Sequence, residues 1–491
     1  MSPPSLQRTA ARGFAWSATE LVGQRAIGFV ISIVLARLLA PEQFGLLAMV
    51  TVFLAIASGL TDAGFSQAII QRQKVEPRDL STVFYFNLLA AGVMVLILCL
   101  AAPRISRFYA QQELIPILRW LSVGILISAF GRIHAVQLQK QLAFRKIMQV
   151  TLPANLFGGL VGIWMAWQGY GVWALVGQSL TQRAGHTVLL WWKSAWRPSL
   201  EFSWQSLASL FPYGSRLAIS GLIDQVFKNL YVLVIGRIFG VGPVGYYHRA
   251  VAFRDTASHS ITTVLSRVTF PLFCQVQNDI PRLRRGFCQC MALACLLAIP
   301  AMAILAGLAE SVILTLIGEK WAPSILYLRL LCVTGMLYPI HAINLSILKS
   351  LGHSHLFLRL EIIKKLLTVV VLSITCRHGI TAIILGGMTS SGIGLLINSF
   401  YTNRFLQLTR SEALRPTLFP LLLGVGLFAM TFAIDQALPW PPSVRLTVGL
   451  LASMTVALLL LLCYRARVGD KLEAMVGDVP MLARLAAWAR Q

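Results

Sequence analysis

The chain has 491 residues and a formal net charge of +24, from 42 Lys and Arg against 18 Asp and Glu. Hydrophobic residues make up 57% of it and charged residues 12%, where soluble domains have roughly 45–50% and roughly 25%. With a mean hydropathy of +0.72, the chain would expose more apolar surface than water tolerates, which excludes a soluble enzyme of any fold. The composition predicts a polytopic membrane protein.

Fourteen apolar runs have the length needed to cross a hydrocarbon core about 30 Å thick. They predict helices at 17–40, 44–68, 82–103, 115–138, 147–168, 171–192, 209–238, 244–274, 287–309, 322–349, 356–376, 380–401, 417–438 and 443–464. The eighth run would insert poorly alone, since it carries Arg249, Arg254, Asp255, His259 and Arg267. The sequence therefore predicts an all-α membrane protein with about fourteen transmembrane helices.

The excess of cations is distributed in small groups between the apolar runs, which is typical of cytoplasmic loops. It does not indicate a nucleic-acid partner, because nucleic-acid binders gather Lys and Arg on one face or stripe. Counted alternately on the two sides, basic loop residues favour one side by roughly three to one. Both termini are therefore predicted to be cytoplasmic.

The two ends of the chain carry further signals. No cleavable signal peptide is expected, because Glu20 and Arg25 interrupt the first apolar run and no small-residue cleavage pattern follows it. The tail at 465–491 mixes apolar and basic residues, which favours a helix lying on the inner leaflet over a solvated appendage.

An offset of 200 residues aligns parts of the chain with itself, pairing Arg37 with Arg237 and Gly45 with Gly245. The register places predicted helices one and two on helices seven and eight. It predicts two six-helix lobes related by a pseudo-twofold axis along the membrane normal. The predicted domains are an N-terminal lobe at 1–195, a C-terminal lobe at 196–408, two additional transmembrane helices at 409–464 and a cytoplasmic tail at 465–491.

Ionisable side chains inside the predicted spans indicate where a cargo is handled. Each Arg, Lys or Asp at a helix centre costs about 2.5–3.5 kcal/mol by insertion scales, so these residues should face a wet interior or each other. The candidate substrate-binding cations of a central cavity are Arg25, Arg216, Lys228, Arg249, Arg254 and Arg267. The candidates for coupling to an ion or for internal ion pairs are Glu20, Asp62, Asp224, Asp255 and Glu361.

Most of these charges fall on the four helices that the repeat pairs with one another. On helix seven, Arg216, Asp224 and Lys228 share one polar face because they recur at multiples of four residues. A central cationic cavity is the simplest arrangement. Two alternatives stay open: internal ion pairs that hold helices in register, such as Arg216 with Asp224, and snorkelling of Lys228 and Arg267 to the membrane interface.

The motif LARLLAPEQFG at 35–45, followed by LTDAGFSQA at 60–68, resembles the opening of bacterial lipid-linked oligosaccharide flippases of the colanic-acid exporter type. These belong to the multidrug/oligosaccharidyl-lipid/polysaccharide exporter superfamily. The resemblance implies two lobes in the bacterial inner membrane that alternate access and move an undecaprenyl-pyrophosphate-linked oligosaccharide to the periplasmic leaflet for polysaccharide biosynthesis. It implies the lipid-linked substrate, membrane lipids, H+ or Na+, and a polysaccharide polymerase with other assembly proteins as partners.

The chemistry of such a cargo suits arginine, which binds phosphate oxygens bidentately and keeps its proton. No Walker loop occurs, so direct ATP drive is not expected. The eight cysteines favour packing roles, and His353 and His355 form a lone pair without further ligands, so no metal site is expected. No cofactor is expected, and the predicted role is transport and not enzyme catalysis.

Two rival functions remain from the sequence. One is a membrane-embedded polysaccharide polymerase or ligase, which usually needs a larger extracytoplasmic loop than this chain offers. The other is a cation-coupled multidrug exporter of the same superfamily. Such an exporter should present acids and aromatics to its cavity, and the excess of cations argues against it.

Overall fold

The computed structural model describes residues 6–62, 64–73, 75–352 and 354–476, and within them it contains helices and no strand. The helices are α1 Leu6–Leu38, α2 Pro41–Asp62, α3 Phe65–Gln71, α4 Pro77–Tyr109, α5 Leu114–Lys140, α6 Phe144–Trp167, α7 Val172–Lys193, α8 Trp204–Phe239, α9 Val241–Gln275, α10 Ile280–Gly307, α11 Ala309–Leu316, α12 Ser324–Ser350, α13 Ser354–Thr375, α14 Ile380–Leu406, α15 Arg410–Ala437 and α16 Pro442–Val476, with a 3₁₀ turn at Glu319–Trp321.

Each predicted apolar run overlaps one long helix of the described residues, and the run at 44–68 also covers the short helix α3. Ten of these helices, wholly or in part, are long and apolar enough to cross a membrane. The all-helical, multi-pass membrane fold predicted from the sequence is therefore confirmed. The number of fourteen crossings stays a prediction, because α1, α7, α9 and α13 are not among the ten.

The prediction of one continuous helix at 44–68 is wrong. The apolar run at 44–68 is divided, because α2 ends at Asp62 and α3 begins at Phe65. Gly64 between them has a φ of +73°, a left-handed conformation that L side chains rarely adopt. A Cβ at Gly64 would also lie 2.1 Å from the carbonyl oxygen of Gly214 on α8. Hydropathy does not change where the backbone turns at one residue, so the apolar run predicts one continuous helix.

The C-terminal end also differs from the expectation. Helix α16 continues from the predicted span at 443–464 into the predicted tail and reaches Val476. Residues 477–491, which make up the rest of the predicted inner-leaflet helix, lie outside the described residues.

Several helix starts follow from local sequence. At α4, Glu76 and Asp79 form a reciprocal capping box, and Pro77 occupies the first turn, where a missing N–H costs nothing. At α15, Thr409 and Glu412 form the same arrangement. These caps satisfy N–H groups that have no partner inside the helix, so they fix where each helix begins.

The described residues form two compact units. The first contains those within Met1–Thr256, Leu316–Tyr327 and Leu358–Gly394, and the second those within Ala257–Thr315, Leu328–Phe357 and Leu395–Gln491. The predicted lobes at 1–195 and 196–408 stay predictions.

Small residues let helices approach closely inside each unit. In the first unit, a Cβ at Gly158 on α6 would lie 2.7 Å from the Cβ of Gln182 on α7. In the second, a Cβ at Gly424 on α15 would lie 2.6 Å from the Cγ2 of Ile299 on α10. Glycines at such crossings are typical of membrane helices, where packing rather than the hydrophobic effect drives association.

The starts of α2 and α9 contact each other reciprocally within the first unit. A Cβ at Gly45 would lie 2.0 Å from the carbonyl oxygen of Val241, and a Cβ at Gly245 would lie 2.0 Å from the carbonyl oxygen of Pro41. The two contacts are related by the same offset of 200 residues that the sequence repeat shows. Reciprocal contacts of this kind are what a local twofold axis produces. The sequence repeat thus has a structural counterpart at this crossing.

Candidate functional site

A polar cavity of about 410 Å³ lies inside the first unit, among α1, α5, α6 and α7. This volume falls within the range of small-molecule sites, roughly 300–1,000 Å³. No Asp or Glu is among the described residues that line it. The lining residues are Gln24 of α1, Ser128, Gly131, Arg132 and Ala135 of α5, Thr151 and Asn155 of α6, and Ser179, Gln182, Arg183, His186 and Leu190 of α7.

Arg183 is held in the cavity by neutral groups. Its Nη1 donates to the Oγ of Ser128 at 3.2 Å, and its Nε donates to the Oγ of Ser179 at 3.4 Å. A Cβ at Gly124 would lie 2.8 Å from the Cδ of Arg183, so the glycine leaves room for the arginine stem. Within the described part of the chain, no carboxylate pairs with Arg183. Its charge therefore remains available to an anion.

Arg132 has a different environment. Its Nη1 lies 3.5 Å from the Oδ1 of Asp62, and its Nη2 lies 3.5 Å from the Oγ of Ser58. Both partners belong to α2, and neither lines the cavity. The charge of Arg132 is therefore shared between the cavity and a carboxylate outside it.

The rest of the cavity wall offers neutral hydrogen-bonding groups. The Nε2 of Gln182 donates to the Oδ1 of Asn155 at 2.5 Å, which links α7 to α6. Gln24 and His186 add further groups that donate or accept. Amides, hydroxyls and an imidazole suit a neutral polar ligand such as a sugar, and the two guanidinium groups suit an anion.

Arg249 does not line this cavity, although the sequence made it a candidate. Its side chain is buried, with the guanidinium 4.3 Å from the ring centre of Phe44 and 5.4 Å from that of Trp321. It also donates to the hydroxyl of Ser32. The fully buried Trp321 in turn donates its indole N–H to the carbonyl of Ala36 at 2.9 Å. Arg249 thus lies in an aromatic cluster where α1 and α2 meet the segment at 316–327.

Four of the five candidate acids form ion pairs in the described residues. The pairs are Asp62 with Arg132 at 3.5 Å, Asp224 with Lys365 at 2.5 Å, Asp255 with Arg254 at 2.6 Å, and Glu361 with Lys364. The ion-pair alternative therefore describes these four acids in this structure. Their coupling to a proton or sodium ion stays a prediction.

The remaining candidates are spread along α1, α8 and α9. Glu20 and Arg25 are half-buried on α1 beside the cavity residue Gln24, and Lys228 is exposed on α8. The side chains of Arg216 and Arg267 lie outside the described residues. Substrate binding by the six candidate cations stays a prediction.

The two cavity arginines were missed from the sequence. Arg132 lies inside the predicted span at 115–138 and Arg183 inside the span at 171–192. The insertion-cost argument that selected the six candidate cations applies equally to both. The repeat pairs α1 and α2 with α8 and α9, whereas this cavity lies among α1, α5, α6 and α7, so the repeat does not indicate either arginine.

No cluster of three or more His, Cys, Asp or Glu able to hold a metal ion occurs among the described residues. His353 and the side chain of His355 lie outside them.

The apolar helices define a multi-pass membrane protein. Its fold is similar to those of membrane transporters of known structure. A structure of the lipid II flippase MurJ matches with a TM-score of 0.75 at 12% identity, over 92% of this chain and 99% of that one. An inward-facing multidrug resistance transporter of the MATE family, in the MOP superfamily, matches with a TM-score of 0.61 at 15% identity, over 80% and 99%.

The chain belongs to the polysaccharide biosynthesis protein family, whose sequence pattern matches residues 34–326. The lipopolysaccharide biosynthesis protein WzxC of Escherichia coli is 28% identical over 397 residues, covering 80% of this chain and 78% of that protein. The succinoglycan biosynthesis transport protein ExoT of Rhizobium meliloti is 28% identical over 343 residues, covering 69% of each.

Proposed function

We propose that this protein is a flippase for a lipid-linked oligosaccharide. It moves the undecaprenyl-pyrophosphate-linked unit from the cytoplasmic to the periplasmic leaflet of the bacterial inner membrane by alternating access, for surface polysaccharide biosynthesis. The observation that carries the proposal is a cavity whose described lining residues include two guanidinium groups and no carboxylate. Membership of a polysaccharide biosynthesis family, with relatives named for transport and flipping, supports it.

The cavity fits the chemistry of such a cargo. A pyrophosphate-linked sugar carries about two negative charges, which cannot enter hydrocarbon without compensation. Arg132 and Arg183 provide charge-assisted hydrogen bonds for the phosphates, and Asn155, Gln182 and Gln24 provide partners for sugar hydroxyls. The prenyl tail stays in the lipid. No covalent bond changes in this process, so the protein acts as a carrier and not as an enzyme.

We also propose an orientation in the membrane and partners for this protein. The cytoplasmic placement of both termini rests on the bias of basic loop residues. A proton or sodium ion couples the cycle, and a polysaccharide polymerase with other assembly proteins takes up the flipped unit.

The multidrug exporter is the weaker alternative. The fold is shared with drug exporters, so the fold alone does not separate the two functions. The cavity favours the flippase over the exporter. Its guanidinium groups, with no carboxylate among the described lining residues, repel the organic cations that many drug exporters carry.

Replacing Arg132 or Arg183 with glutamine should slow flipping about 10- to 100-fold each, since a hydrogen bond to a charged group contributes about 1.5–3 kcal/mol. The assay uses the full-length protein in vesicles that contain a fluorescent undecaprenyl-pyrophosphate sugar, with a membrane-impermeant quencher outside. Arg104→Gln, which removes an exposed cation of α4 away from the cavity, is the matched control and should flip at the wild-type rate. Wild-type rates in both cavity variants, or transport of a cationic dye without flipping of the lipid, would contradict the proposal.

A further inference from the structure

The two cavity arginines differ in one respect that bears on how cargo binds. Arg183 contacts hydroxyl groups, whereas Arg132 contacts the carboxylate of Asp62. A carboxylate at this distance opposes the approach of a second anion to the same guanidinium. The cavity therefore offers one fully available positive charge and one that is already partly neutralised.

Asp62 is held in place by contacts that do not depend on Arg132. It is the last residue of α2, and its Oδ1 accepts a hydrogen bond from the hydroxyl of Ser66 on α3 at 2.5 Å. Helix α3 is fixed in turn to the end of α5, since the Nζ of Lys140 donates to the carbonyls of Ile69 at 3.0 Å and Arg72 at 2.5 Å. Asp62 therefore keeps a hydrogen-bond partner when Arg132 turns away from it.

The pair also connects the cavity to the break between α2 and α3. Gly64, two residues after Asp62, lies against the backbone of Gly214 on α8, with no room for a Cβ. The contact between Arg132 and Asp62 thus joins a cavity wall on α5 to a point where the chain changes direction beside α8.

We propose that Asp62 is an internal competitor of the cargo's phosphate for Arg132, an inference that rests on the proposed function. Asp62 holds the guanidinium while the cavity is empty and yields it when a diphosphate enters. The competition keeps phosphate binding weak enough for release, because a diphosphate held by two fully available arginines would leave slowly. The exchange also breaks the ion pair that joins α2 to α5. Cargo binding therefore changes a contact next to the break between α2 and α3, beside α8.

The test measures binding of two probes to the full-length protein in nanodiscs: inorganic pyrophosphate and undecaprenyl pyrophosphate. The Asp62→Asn variant should bind the lipid probe about tenfold more tightly than the wild type. The Arg132→Gln variant should bind more weakly, and adding Asp62→Asn to it should give no gain, since the competitor has lost its target. Asp62→Ser, which removes the carboxylate and keeps a small polar side chain at the end of α2, serves as a second variant and should show the same tightening.

Glu113→Gln is the matched control, because it removes an exposed acid before α5 that does not line the cavity, and it should leave binding unchanged. Equal affinity of wild type, Asp62→Asn and Asp62→Ser would overturn the competitor role, as would a gain that persists without Arg132. A gain confined to inorganic pyrophosphate would also overturn it, because the site would then serve a free anion. A wild type that binds neither probe and flips no lipid would contradict the proposed function itself, whereas normal flipping with unchanged Asp62→Asn binding would contradict the competitor role alone.

Discussion

Alanine in place of Gly45 or Gly245 is expected to destabilise the folded chain by about 3 kcal/mol or more, at the high end of the cost of overpacking. In both positions the new Cβ would lie 2.0 Å from a backbone carbonyl oxygen of the facing helix. Carbon and oxygen atoms do not approach so closely, and a backbone carbonyl cannot turn aside as a flexible side chain can. The starts of α2 and α9 would have to move apart, with loss of the packing around them.

The reciprocal geometry makes this expectation more specific. Because a Cβ added at Gly45 or at Gly245 would lie equally close to a facing carbonyl oxygen, the two substitutions should have similar effects. Combining them should cost less than the sum, since the first substitution already separates the helices that the second would push apart.

The measurement is the melting temperature of the full-length protein in detergent, determined from the loss of the monodisperse species on heating. Gly92→Ala is the matched control, because Gly92 is a helical glycine of α4 whose added Cβ would meet nothing within 4 Å. Alanine favours the helix there by about 0.5–1 kcal/mol, so the control should be neutral or slightly stabilising. Melting of the Gly45 and Gly245 variants at the control's temperature would contradict the close approach of the two helices.

The sequence predicted the helices well because their main signal is local. A run of apolar residues of the right length is sufficient to define α5 or α6, and the structure places their ends within a few residues of the prediction. The break at Gly64 was missed since one left-handed residue does not change hydropathy. The sequence repeat aligns Gly45 with Gly245, but it does not predict that the starts of α2 and α9 contact each other.

The site was harder to predict because it depends on partners distant in sequence. Arg249 satisfies the rule for a cavity cation, yet its guanidinium packs on Trp321, which is 72 positions further along the chain. Charge and hydropathy indicate that a buried arginine needs a partner that compensates its charge. They do not indicate whether that partner is a carboxylate, an aromatic face or a ligand. Arg132 and Arg183 illustrate the same limit, since only the structure distinguishes the one that has a carboxylate from the one that does not.

The second unit contains a charged cluster that the sequence did not indicate. The fully buried side chain of Asp435 on α15 accepts hydrogen bonds from the backbone N–H and the hydroxyl of Ser311 on α11. Arg329 of α12 and Arg445 of α16 lie 3.5 Å and 4.0 Å from the carboxylate oxygens of Asp435. Glu310 of α11 lies 3.8 Å from Arg329 and 3.6 Å from Arg445. Two acids thus balance two arginines, and the cluster joins α15 and α16 to α11 and α12.

The Asp435→Asn substitution should therefore lower the free energy of unfolding by about 3–5 kcal/mol, because it keeps the shape of the side chain but leaves two arginines facing one acid. The measurement is again thermal melting of the full-length protein in detergent, with Glu113→Gln as the control, since Glu113 is an exposed acid before α5. Adding Arg445→Gln to Asp435→Asn restores the balance of charge and should recover part of the loss. Equal melting temperatures of Asp435→Asn and the control would contradict the role of the charges. The hydrogen bonds from Ser311, which asparagine can still accept, would then be sufficient to hold α15. The partial recovery in the double variant is what separates a balance of charge from a simple loss of packing, because packing does not improve when a second side chain is shortened.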